Sequence, residues 1–321
     1  PTTHPLYAAP AGTFLTPGAM AVLKDADVVL SLDFTDLAGT LKQAWGNETI
    51  GSKIINVSVD QYVHNGWSMD HQGLPPMDIY MMCEPEPAVK LLVERVKPRK
   101  AVAHSRLPFP AVPDLIQGAP LTVPMLSKAL KAAVKGLTVS LIRAPLSWSG
   151  EMWDIEHPLD YLGYEGGGGV GAGPGVSIGA ALALKGTDRL PVAVMGDGDY
   201  MMGVNALWTA SNAQIPLLII VVNNRSFFND EVHQERVARQ RGRPVENKWI
   251  GQRISNPAPD LAMMARGQGM EGIGPIETGA DLERALAEAI KVVQGGKAIV
   301  LDVIVSTGYS AAMTAGLTRS E

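Results

Sequence analysis

One cysteine, Cys83, stands in 321 residues, which excludes a disulfide framework and a cysteine-built metal cage within the chain and points to a reducing compartment. Basic residues are scarce as well. Lys+Arg 27 against Asp+Glu 32 leaves a net charge of −5 and no cationic footprint for nucleic acid. The longest apolar runs, such as Pro216 to Val222, fall far short of the roughly 20 residues that a membrane helix needs. The chain opens at Pro1 with neither a Met nor a positively charged apolar leader, so nothing reads as a targeting segment. What remains is 46% apolar and 18% charged, enough to bury a sizeable core. The length has room for two domains of roughly 150 residues each. These absences leave a cytoplasmic, two-part α/β protein with no nucleic-acid or membrane partner as the expectation.

Residues 1–96 alternate strand-like and helical runs. Ala26 to Asp33 and Lys53 to Asp60 are short, β-branched and end in Asp, as strands of a doubly covered parallel sheet do. Ile79 to Met82 is a third candidate strand, and Val89, Leu92, Val93 and Val96 have helical spacing. Three strands are few for a doubly wound domain, so this part reads as the incomplete central portion of something longer. From 97 to 120 the composition shifts: Pro98, Pro108, Pro110, Pro113 and Pro120 punctuate a stretch without periodicity, read as a semi-rigid linker.

From 121 to 321 strong βα alternation resumes. Helices are expected at Pro124–Val134, Val176–Leu184, Val204–Ala213, near Asp260–Arg266 and at Leu282–Val293. Strands are expected at Leu137–Ile142, Pro191–Met195, Pro216–Val222 and Ala298–Val305. Such alternation implies parallel sheets, giving two doubly wound domains with the first incomplete.

The informative stretch is Met195-Gly196-Asp197-Gly198-Asp199-Tyr200, followed by Val222-Asn223-Asn224-Arg225-Ser226. Both lie at the carboxyl ends of apolar strands, where open parallel sheets bind ligands. Gly196 and Gly198 permit a sharp turn and close approach of a ligand, and a helix beginning at about Tyr200 would aim free N–H groups at the same place. Asp197 and Asn224 supply one charged and one neutral oxygen, suited to a hard dication that also takes phosphate oxygens. Either half alone is ordinary, a turn or a helix cap. Together they describe a Mg²⁺-bridged diphosphate site.

The Gly-Asp-Gly, 24 intervening residues and the Asn-Asn pair resemble the thiamine diphosphate motif of the 2-oxo acid decarboxylase and acetolactate synthase-like enzymes. The likeness covers Leu121 to Ser306 as their diphosphate-binding domain and Pro1 to Val96 as the rear of their central domain. It implies Asp197, Asn224 and the Ser226 carbonyl as Mg²⁺ ligands, with backbone N–H groups of Gly198, Asp199 and Ser226 on the diphosphate. In Gly166 to Gly171 it implies that the Gly168 carbonyl accepts from the cofactor's 4′-amino group and that Val170 wedges between the cofactor's rings. Family members often carry Met, Leu or Ile at that position, so Val170 is a small wedge. Asp199 replaces a small hydroxyl residue, and a carboxylate beside a diphosphate should point away or be neutralised.

The resemblance further implies a glutamate on a pyrimidine-binding domain that no segment here resembles, hence no catalytic residue in this chain, a small 2-oxo acid substrate, and a homodimer or homotetramer. A stand-alone subunit needing a partner and a non-catalytic Mg-nucleotide module are the alternatives. An Arg soon after Asp33, expected for flavin, is absent from Phe34-Thr35-Asp36-Leu37. The glycine loop also contains G-x-G-x-x-G, but a dinucleotide site needs a strand directly before it, and Asp160 to Glu165 is not one. His233 reads as an exposed helical residue, Phe227, Phe228 and Trp208 as core aromatics that could instead line a pocket, and Arg236, Arg239, Arg241 and Arg243 as a solvated face.

Overall fold

The computed structural model describes residues 1–4, 6–7, 15–34, 36–60, 74–97, 114–115, 118–163 and 169–308. The chain divides into two compact units, Thr3–Phe109 and Pro110–Glu321, the latter joined by Pro1–Thr2. The division falls inside the proline-rich 97–120 stretch, most of which lies outside the described residues. Thr2 joins the second unit through its N–H, which donates to the Ile155 carbonyl at 2.7 Å.

In the first unit β1 (Val28–Leu32), β2 (Lys53–Val57) and β3 (Ile79–Met81) form a parallel sheet in that order. Helix α1 (Pro17–Asp25) starts where Thr16 caps it and Pro17 fits the first turn; α2 (Leu37–Trp45) starts where Asp36 accepts from Gly39 N–H at 2.9 Å. The amphipathic α2 buries Leu37, Leu41, Ala44 and Trp45 with Ile54 and the half-buried Val29, which covers one face of the sheet. Alternate β1 residues Val28, Leu30 and Leu32 face the other way and are exposed. Helix α3 (Pro85–Arg95) buries only Ala88 and leaves Val93 75% exposed.

The second unit is built around five parallel strands in the order β4-β5-β6-β8-β7: β4 (Val139–Arg143), β5 (Leu190–Gly196), β6 (Leu217–Asn223), β7 (Glu271–Ile276) and β8 (Ala298–Ile304). The β-branched, near-continuous apolar runs of β5, β6 and β8 are buried along almost their whole length, as strands covered on both faces must be. Their odd and even residues divide between two cores. Val192, Val194, Leu218, Ile220 and Leu301 pack under α4 (Val123–Ala133) and α10 (Gly279–Gln294). Ala193, Met195, Ile219, Val221 and Val300 pack under α5 (Ala172–Leu184), α6 (Asp197–Gly203), α7 (Leu207–Asn212) and α9 (Leu261–Gly267). The α/β class is borne out: two parallel sheets with flanking helices.

Several boundaries differ from expectation. The helix after Gly-Asp-Gly begins at Asp197 rather than near Tyr200, because Gly196 leaves β5 extended and acts directly as its N-cap. The helix expected at Val204–Ala213 is a 3₁₀ turn (Val204–Ala206) followed by α7. Edge strand β7 went unpredicted, since its sequence EGIGPI carries two glycines and a proline that depress strand propensity. Helix α8 (Phe228–Gln240) is polar and buries only Glu231, so its apolar period is faint.

Candidate cofactor and metal site

Adjacent strands β5 and β6 run parallel with Gly196 opposite Val222, so their carboxyl ends deliver Asp197 and Asn224 to one place. Asp197 is buried and opens α6, where its Oδ1 accepts from its neighbour Gly198 N–H at 3.0 Å. Beyond β6 the chain turns through Arg225, whose φ of 60° is left-handed and carries a cost of about 1 kcal/mol or more for a residue with a side chain. The Asn223 side chain stabilises this turn by accepting from Arg225 N–H at 3.1 Å. The turn sends Ser226 N–H back toward β5. That single N–H donates to Asp197 Oδ2 at 3.1 Å and to Asn224 Oδ1 at 2.9 Å. The two side-chain oxygens therefore converge on a single N–H.

Burial raises the Asp197 carboxyl to about 6, against the pull of the Gly198, Ser226 and Arg225 N–H groups. A divalent cation would favour its ionised form. A carboxylate and an amide oxygen, joined by the Ser226 carbonyl that the resemblance implies, would suit Mg²⁺, which binds through few carboxylates and keeps positions for phosphate and water. Among the described residues no group of three or more His, Cys, Asp or Glu could hold a metal by itself.

The two glycines differ. A Cβ on Gly198 would lie 2.2 Å from the Phe227 ring, so this residue is glycine because an aromatic packs against it. A Cβ on Gly196 would meet nothing within 4 Å, leaving open space where a ligand could approach the backbone.

Residues that sequence reasoning missed hold the Ser226 loop. Ser226 Oγ donates to the carboxylate of Glu231, which is 1% exposed and forms an ion pair with Arg253, Nε to Oε1 at 2.6 Å. Phe227 N–H donates to Gln252 O at 2.9 Å and Ile254 N–H to Arg225 O at 2.8 Å, adding a strand-like strap. Behind the loop, Asn223 Nδ2 donates to buried Asp302 Oδ1 at 2.9 Å. No local pattern announces Glu231, Arg253 or Asp302, whose partners lie up to 79 residues away.

Asp199 answers the question its charge raised. It turns from the site and pairs with Arg143 at 2.8 Å, both side chains 11% exposed. Val170 is 53% exposed, while Gly168 lies outside the described residues. Among the described residues directly before the glycine loop, Tyr161 makes an isolated bridge with Leu141 in place of the strand a dinucleotide site needs. His233 is exposed, and Phe227 and Phe228 are half-buried beside the site. Trp208 is exposed rather than core.

Residues 145–303, just under half of the chain, match the family model of the thiamine pyrophosphate enzyme C-terminal TPP binding domain. The acetolactate synthase isozyme 1 large subunit of Escherichia coli is 28% identical over 242 residues, 74% of this chain and 41% of that protein. Benzoylformate decarboxylase of Pseudomonas aeruginosa is 25% identical over 206 residues, 63% of this chain and 36% of that protein. Among solved structures, the benzoylformate decarboxylase of Polynucleobacter necessarius shares the fold with a TM-score of 0.71 at 18% identity, over 97% of this chain and 55% of that one. The 4-hydroxybenzoylformate decarboxylase of Rhodococcus jostii RHA1 superposes with a TM-score of 0.65 at 20% identity, over 91% and 51%. The chain thus spans about half the length of these proteins, or less.

Proposed function

We propose, from a chain whose residues 145–303 match the C-terminal TPP binding domain of the thiamine pyrophosphate enzymes, that it holds the diphosphate end of thiamine diphosphate through Mg²⁺ and serves decarboxylation or carboligation of a small 2-oxo acid. The observation that carries this reading is the Ser226 N–H, shared between the oxygens of Asp197 and Asn224. Asp197 Oδ, Asn224 Oδ1 and the Ser226 carbonyl would hold the cation. The Asp199 N–H would take a diphosphate oxygen, joined by those of Gly198 and Ser226 once Asp197 and Asn224 turn their oxygens to the cation; Gly196 leaves room for the ligand, and the resemblance assigns Val170 and the Gly168 carbonyl to the pyrimidine. Thiamine diphosphate, once bound, supplies the electron sink that lets the bond beside a 2-oxo group break. This chain's residues bind and orient it. The protonating glutamate is assigned to a pyrimidine-binding region outside this chain.

The half-length match to the relatives supports a need for that region, either in the same protein or as a partner. Assembly as a homodimer or homotetramer is supported by α5, which has no charged residue yet exposes Val176 and Leu182, near exposed Met202 on α6 and Trp208 on α7.

Calorimetric titration with thiamine diphosphate and with ADP, each with and without Mg²⁺, tests the reading. Binding of thiamine diphosphate that requires Mg²⁺ and disappears in Asp197→Ala is expected. Preference for ADP would make the chain a nucleotide module, and affinity unchanged in Asp197→Ala would remove the metal assignment. Decarboxylation of a panel of 2-oxo acids by the intact protein then names the substrate.

A further inference from the structure

The Asp199 carboxylate lies in the first turn of a helix whose opening N–H groups are assigned to an anion, a placement that would repel the ligand unless its charge were used elsewhere. Its oxygens show where it is used. Oδ1 accepts from Gly171 N–H at 2.7 Å and from Gly173 N–H at 3.2 Å, and Oδ2 pairs with the guanidinium of Arg143, the last residue of β4, at 2.8 Å. Gly171 is the N-cap of α5, with φ of 101° and no side chain to satisfy the helix's free N–H groups. Asp199 supplies the missing cap from another helix, and Arg143 neutralises it.

The backbones meet closely here: a Cβ on Gly203 would lie 2.3 Å from Gly171 O, and one on Gly171 would lie 2.9 Å from Met202 Cβ. The carboxylate therefore ties the segment carrying Val170 to α6. Ser226 and the turn at Arg225 are held by different groups, Glu231, Arg253 and Asn223.

We propose that Asp199 and Arg143 form a positioning clamp that sets Val170 and the start of α5 relative to the diphosphate cradle, so that the pair governs engagement of the pyrimidine side of thiamine diphosphate more than that of its diphosphate. The inference rests on the proposed function and adds a device that the small hydroxyl residue common at position 199 in the resembled family could not supply.

The test compares two ligands in the intact protein, thiamine diphosphate with Mg²⁺ and inorganic pyrophosphate with Mg²⁺, and follows amide hydrogen exchange at Gly171 and Gly173. In Asp199→Ala, loss of the cap and ion pair is expected to weaken thiamine diphosphate about tenfold and pyrophosphate, which meets the same turn of α6, about threefold, with faster exchange at both glycines. Equal losses for the two ligands, or no loss for either, would overturn the clamp. Should Asp199→Ala not fold, Asp199→Asn keeps the acceptor and loses the charge; it is expected to show the same split at about threefold, and equal losses there would again count against the proposal. Wild-type protein that binds pyrophosphate but no thiamine diphosphate overturns the proposed function and this inference with it. That result is separable from a failed clamp, which shows in the exchange at Gly171 and Gly173 whether or not the cofactor binds.

Discussion

The two units are written in the same βα grammar and finish differently. The five-stranded sheet has a full apolar layer on each face, and its three inner strands are buried almost throughout. The three-stranded sheet has one such layer, under α2, while Leu30, Leu32 and Ile79 face outward, each more than 40% exposed. Burial on both faces holds β5 and β6 rigidly enough to present Asp197 and Asn224 together. The half-covered sheet presents nothing comparable among its described residues.

The comparison is broken most directly in the central strand. Leu218→Ala removes a fully buried side chain from β6 and is expected to cost about 3 kcal/mol in chemical denaturation. A much smaller cost would mean that the second unit is loosely packed. Gly198→Ala forces a methyl into the Phe227 ring and is expected to cost about 2 kcal/mol and abolish Mg²⁺-dependent cofactor binding. The same change at Gly51, which has nothing within 4 Å, is the control. Tyr200→Phe deletes a buried hydroxyl that donates to Leu261 O at 3.0 Å, tying α6 to α9, at a cost of about 1 kcal/mol.

A pH series gives a smaller effect. Burial raises the Asp302 carboxyl, opposed by the Asn223 amide. The fold prefers its protonated form, so that contribution is present below the ordinary carboxylate range and is lost as pH rises through the raised value. Asp302→Asn cannot ionise and should flatten that part of the denaturation-midpoint profile relative to wild type. The smallest effect belongs to Leu30→Ala, about 0.5 kcal/mol or less in this chain alone. A cost of several times that in the intact assembly would show the outward face of β1 to be covered there.

The same contrast explains what could be read in advance. The apolar runs of β5, β6 and β8 have a strand reading that both covered faces demand, and the strand ends could be placed within a residue or so. The meeting of Asp197 and Asn224 was legible because each directly follows an apolar strand, and the two strands are neighbours. Strand β7 and helix α8 were not, since a Gly/Pro-rich edge strand and a polar surface helix carry weak periodicity. The supports were hidden too. Arg143 and Asp199, or Ser226, Glu231 and Arg253, meet only through the folded chain, and nothing in their local sequence names a partner. Asp199 shows the limit most clearly: its charge signalled that something must neutralise it, but only the fold supplies Arg143.

The space that a methyl group on Gly173 would need is already filled by Asp199, whose Oδ2 would sit 2.2 Å from it. Positions 173 and 199 are therefore coupled: an alanine in the first turn of α5 would have to displace the carboxylate from the two N–H groups and the guanidinium that hold it. A library that varies either position alone explores only half of that pair.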